Sequence, residues 1–155
     1  MAKGDRSEVN RFLEAFEPSI RKTALKLRDL LWDLYPECNE LIYDGPAALA
    51  FGWTRSGRTG DTFCSIAIYN NEGVLFGFLK GSELSDPEGL LEGGGKHYRY
   101  IRVKNFSSFP QKYACELLSQ AYKNALANSK DLDNAPSGQT VVKSVSQKKR
   151  RPKPQ

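Results

Sequence analysis

Few residue types carry chemistry at neutral pH, and in this 155-residue chain they gather in three places. The first is Gly89-Leu-Leu-Glu-Gly93-Gly-Gly95-Lys96-His97. Backbone amides freed by glycines, followed by a lysine, can cradle an anion. The spacing departs from a phosphate loop, which needs glycine where Leu90 stands, Ser or Thr where His97 stands, and a helix rather than a strand after it. The stretch therefore reads as a turn into a strand. Lys96, His97 and Arg99 stay as candidates for a weak anion or ligand site, and an enzyme using them on an anionic substrate is one function class to weigh. His97 is the only histidine, so a His-rich metal site is excluded. A Cys-His catalytic pair would need folding to bring Cys38, Cys64 or Cys115 to it. The three cysteines are widely spaced with no CxxC, which argues against a disulfide framework or zinc ribbon. Cys64 and Cys115 fall on or beside apolar stripes and read as small buried hydrophobes.

The second place is the run of carboxylates Asp29, Asp33, Glu37, Glu40 and Asp44. Clustered carboxylates hold hard cations or iron through oxygen. Lys22 and Lys26 share the helical face of Asp29 and Asp33 and partly neutralise them, which leaves Glu37, Glu40 and Asp44 as candidate ligands for weak, exchangeable iron. The plainer reading is a solvated, ion-paired surface. The third place is the basic end, where Lys148, Lys149, Arg150, Arg151 and Lys153 have the composition of a nucleic-acid or nuclear-localisation patch. No aromatic residue accompanies them for base stacking, so the contact expected is non-specific, and a solubilising tail explains the composition equally. No Ser-His-Asp order, nucleotide fingerprint or paired-carboxylate motif appears, and no catalytic residue is assigned.

These groups must be positioned by the elements that the hydrophobic pattern specifies. Ser7 can cap a helix over residues 8–16, and Pro18 fits the first turn of a longer helix to Leu34, closed by Pro36. Its stripe is Ile20, Ala24, Leu27, Leu30, Leu31 and Leu34. Strands are expected over 40–43, 47–53, 62–69, 74–80 and 97–104, with a glycine-rich loop at 54–61 and a hairpin turn at Asn70-Asn-Glu-Gly73. Asp86 before Pro87 predicts one helical turn to Leu91. Ser108 is expected to cap a last helix, over 110–128, with the stripe Ala114, Leu117, Leu118, Ala121, Tyr122 and Ala125.

Helices, about five strands, then a helix, joined by short connections, give an α+β fold of two layers: one antiparallel sheet packed by the N- and C-terminal helices. The other sheet face must be polar, or be buried by a ligand, a loop or a second subunit, so a homodimer through it is one expectation. Apolar residues are 39% and charged residues 26%, with a mean hydropathy of -0.55, lean for a chain that packs throughout. The domain is expected over 1–129, with 130–155 a disordered basic tail. Six cations follow Thr140, more than the whole net charge of +5, so the rest of the chain is nearly neutral and the pI of about 9.1 describes the tail. No apolar run is long enough for a bilayer span and the start has no apolar signal centre, which points to the cytoplasm and away from a membrane.

Pro36-Glu37-Cys38-Asn39-Glu40-Leu41-Ile42-Tyr43 with Gly45-Pro46, then Gly81-Ser-Glu-Leu84, Asp86-Pro87, Leu90-Leu91-Glu92-Gly93, Gly95-Lys96 and Arg99 to Arg102, together resemble the YdhG-like family, a bacterial domain family of unknown function. The resemblance spans about Val9 to Leu126. It implies a sheet between terminal helices, and a link to iron, since some members are described as iron chaperones by analogy with frataxin. It adds Tyr43 to Lys96, His97 and Arg99 as a candidate ligand residue and supplies no catalytic residues. The function expected is a non-enzymatic binding domain for a small ligand, a protein partner or weakly held iron, with no other cofactor; the alternative is nucleic-acid association through the tail.

Overall fold

The computed structural model describes residues 6–149. The helices are α1 (Arg6–Leu13), α2 (Pro18–Leu34) and α3 (Gln111–Asn128); the strands are β1 (Asn39–Asp44), β2 (Leu49–Thr54), β3 (Cys64–Ile68), β4 (Val74–Phe78), β5 (Arg99–Val103) and β6 (Thr140–Val145). One six-stranded sheet has the order β5-β4-β3-β2-β1-β6. The first five strands form an antiparallel meander, as short connections require. The class is α+β.

Register separates the sheet faces. Ile42, Phe51, Ile66, Phe76 and Ile101 lie side by side across five strands, and all are buried with Leu27 and Leu31 of α2 and Ala114, Leu117 and Leu118 of α3 in one core. Each such side chain adds about 1.5–3 kcal/mol of apolar burial. Trp32 meets Trp53 edge to face at 6.1 Å. The α2 stripe differs from its apolar pattern, because Thr23 and Arg28 are buried while Leu34 is 40% exposed.

The opposite face carries Leu41, Ala50, Gly52, Ser65, Ala67, Leu75, Gly77, Tyr100 and Arg102. No helix residue is needed to bury its centre. Tyr98 lies across the sheet there, with its hydroxyl where a side chain on Gly77 would begin and bonded to Ser65. Thr62 sits on Gly52, and the Tyr43 hydroxyl reaches Thr59 Oγ1 at 2.7 Å. Leu41 and Ala67 end up 1% and 6% exposed. The chain's own tyrosines and loop thus cover much of this face, the loop being one of the covers expected for it.

Four expectations are corrected. Residues 130–155 were expected to be disordered, yet β6 lies parallel to β1 with a bulge at Ile42/Tyr43, and the described tail follows the domain to Lys149. The low apolar content was misleading because this strand is held by main-chain bonds to an otherwise bare sheet edge and by polar side chains. Asn39 Nδ2 donates to the carbonyls of Thr54, Arg55 and Pro136, and its Oδ1 accepts from Gln139 N. Residues 87–91 form a loop, not a helical turn: Gly89 at φ +64° breaks the helical course, while Asp86 caps the Leu90 and Leu91 amides. Ser7 lies inside α1, and Ser108 does not cap α3, because Asn105 takes the Ser108 amide in a preceding short turn.

Candidate functional site

The loop between β2 and β3 is cross-linked before any ligand is considered. Thr54 Oγ1 donates to the Arg58 carbonyl at 3.0 Å. Ser56 Oγ donates to Asp61 Oδ2 at 2.6 Å and Arg58 Nε to the same oxygen at 3.3 Å. Arg58 Nη2 also donates to the Lys130 carbonyl at 2.5 Å, and Arg55 Nη1 to the Pro136 carbonyl at 2.9 Å. The loop is therefore stapled to the chain that follows α3.

Between this loop, the short turn beginning after Lys80 and the C-terminal half of α3 lies a narrow cleft of ≈ 30 Å³. Ala121, Asn124, Ala125 and Asn128 reach it at steps of three and four, one helical face, opposite Gly60–Phe63 and beside Lys80 and Leu84. Its floor is apolar and its rim polar. Asp61 is already bonded to Ser56 and Arg58. The Lys80 ammonium makes no hydrogen bond or ion pair among the described residues.

Phe63 joins this cleft to an aromatic cluster. Its ring lies 5.3 Å from Tyr35 and 5.0 Å from Tyr122, which are 4.7 Å apart. Tyr122 Oη donates to Glu37 Oε2 at 2.6 Å. Burial, together with that carboxylate, pushes the Tyr122 hydroxyl far up. Burial raises Tyr35 likewise. The Cys38 thiol is pushed up to about 12 by burial and by Glu37, and Cys64 and Cys115 are raised by burial. At neutral pH the cluster holds thiols and phenols rather than thiolate or phenolate, so it supplies a neutral wall and no activated nucleophile.

The residues singled out from sequence do not come together as proposed there. Glu40 is fully buried, with Arg28 Nε and Nη2 each 2.7 Å from its oxygens. Asp44 pairs with Lys149 at 3.2 Å, and Glu37 is taken by Tyr122. Glu40 and Asp44 stand four residues apart on one strand, about 13 Å, too far to share one ion. Among the described residues no group of three His, Cys, Asp or Glu side chains could hold a metal. The Arg99 guanidinium is bonded to the Gly95 and Tyr98 carbonyls, tying down its own glycine loop, where Lys96 and His97 are exposed. Tyr43 lies on β1, four strands and about 19 Å from β5. Lys148 is exposed, Lys149 is engaged by Asp44, and Arg150, Arg151 and Lys153 lie outside the described residues.

Reading along the sequence missed Asp61, Phe63, Lys80, Asn124 and Asn128. The glycine-rich loop at 54–61 was the available signal, since long polar loops beside a helix frequently carry binding groups. No protein-family model, curated protein or solved structure matches this chain.

Proposed function

We propose that this chain is a non-enzymatic binding domain of the YdhG-like type, taking a small organic ligand in the cleft between α3 and the β2–β3 loop. The observation that carries this reading is the cross-linked loop, in which Asp61, Ser56 and Arg58 hold one wall in place and Arg58 ties it to the Lys130 carbonyl in the chain just after α3. A wall fixed in advance lowers the ordering cost of binding. An apolar floor with a few convergent polar groups is the usual build of a small-molecule site. Iron is left out of the proposal because Glu37, Glu40 and Asp44 each serve a different partner.

The test is a saturation-transfer NMR screen of a fragment library against the full chain and against Ala125→Trp, which fills the cleft. Asn124→Trp, at an exposed helix position, serves as a second plug should the first variant fold poorly. Fragments that bind the native chain and are lost in both plugged proteins support the proposal. Hits that bind all three proteins equally would reject it.

A further inference from the structure

We infer that the ligand of this cleft is a small carboxylic acid with a short, branched apolar end, an inference that rests on the cleft being the binding site. The charge pattern selects an anion. Asp61, the acid of the rim, is bonded to Ser56 Oγ and Arg58 Nε, so it offers little to an incoming amine. Lys80 lines the same cleft with no partner for its ammonium among the described residues, and an unpaired cation beside a partly apolar surface favours a carboxylate. Asn124, also on the rim, adds a carboxamide that can donate to the second carboxylate oxygen.

One lysine matches one negative charge. A phosphate monoester or dicarboxylate would bring a second charge that no further cation of the cleft lining meets. The floor fixes the rest of the ligand. Leu84, Ala121, Ala125 and Phe63 offer methyl groups and a ring, and a space of ≈ 30 Å³ has room for about two waters, hence for a branched methyl end and not for a large ring system. A ligand of six or seven heavy atoms binds in roughly the millimolar range.

The experiment is a two-dimensional amide NMR titration of the full chain with three probes of one shape: isovalerate, its neutral amide isovaleramide, and the cation isoamylamine. Isovalerate is expected to shift the amides of residues 60–63, 80–84 and 121–128 saturably, the amide to shift the same set at least about fivefold more weakly, and the amine to leave them unmoved. Lys80→Gln, a change at an exposed side chain, is expected to abolish the difference between acid and amide. Equal binding of acid and amide at these residues, or preference for the amine, overturns the carboxylate assignment while the cleft stands as the site. If none of the three moves these amides, the cleft reading and this inference fall together.

Discussion

Thr140 places its hydroxyl 2.9 Å from Glu40 Oε1, bonding across one hundred residues of chain to a carboxylate that Arg28 already grips with two nitrogens at 2.7 Å. This contact joins α2, β1 and β6 through one buried group, on the strand that pairs with β2.

Glu40→Ala leaves the Arg28 cation buried without its main partner, and removing one member of such a pair costs about 3–5 kcal/mol. Chemical denaturation should show that loss in full. The paired change Arg28→Met with Glu40→Leu should recover most of it, because replacing both charges by apolar groups removes the desolvation penalty. A double variant as unstable as the single one would show that the pair contributes more than mutual compensation.

Docking of β6 is tested by Thr140→Val, which removes one hydrogen bond to a charged group at a cost of about 1.5–3 kcal/mol. Amide exchange should then quicken in Gly138 and Ser146, which donate to the Cys38 and Asp44 carbonyls, ahead of the β2–β3 ladder. Uniform quickening across the sheet would mean that β6 does not open as a separate unit.

Asp86 links the 85–92 loop to α3. Burial acts to raise its carboxyl, but the Tyr113 hydroxyl and the amides of Leu91, Leu90 and Gly89 outweigh burial and hold it below the usual carboxylate range. A carboxyl lowered in the folded state contributes stability above its unfolded value, about 3.9, and loses it as pH falls through the folded value. Asp86→Asn should therefore flatten the acid limb of the melting-temperature profile and cost about 1 kcal/mol at neutral pH. An unchanged acid limb would remove Asp86 from that role.

Burial pushes the Tyr98 hydroxyl up to about 12 where it lies on Gly77. A raised tyrosine stabilises the fold below the unfolded value, about 10, and that contribution is lost as pH rises toward 12. Ultraviolet titration should show several late tyrosines, since burial also raises Tyr35 and Tyr122, and the step near pH 12 should disappear in Tyr98→Phe while the later ones persist. Gly77→Ala puts a methyl carbon 2.5 Å from the Tyr98 ring, so the ring must move, at a cost of about 1–3 kcal/mol, and the late titration should shift toward normal.

The meander and the core were legible because period-two strands such as Cys64-Ser-Ile-Ala-Ile68 and the stripe Ala114, Leu117, Leu118, Ala121 announce which side is buried. β6 was not, because Thr140 and Lys143 give no apolar alternation and the strand depends on an edge that only the folded sheet provides. Arg28 gave no signal in the sequence, because its partner Glu40 stands twelve residues on and meets it only when α2 packs against β1. The carboxylates chosen for iron were neighbours in sequence, but strand geometry and separate partners divide them. The cleft was hidden for the converse reason: Asp61, Lys80 and Asn124 are distant in sequence and meet only when α3 closes on the β2–β3 loop.

The most direct test of the central claim is a crystal structure of the full chain soaked with the strongest fragment from the screen. The account predicts ligand density between Phe63, Leu84, Ala121 and Ala125, with its polar end at Lys80. Density confined to the tyrosine-covered sheet face, with none in the cleft, would contradict it.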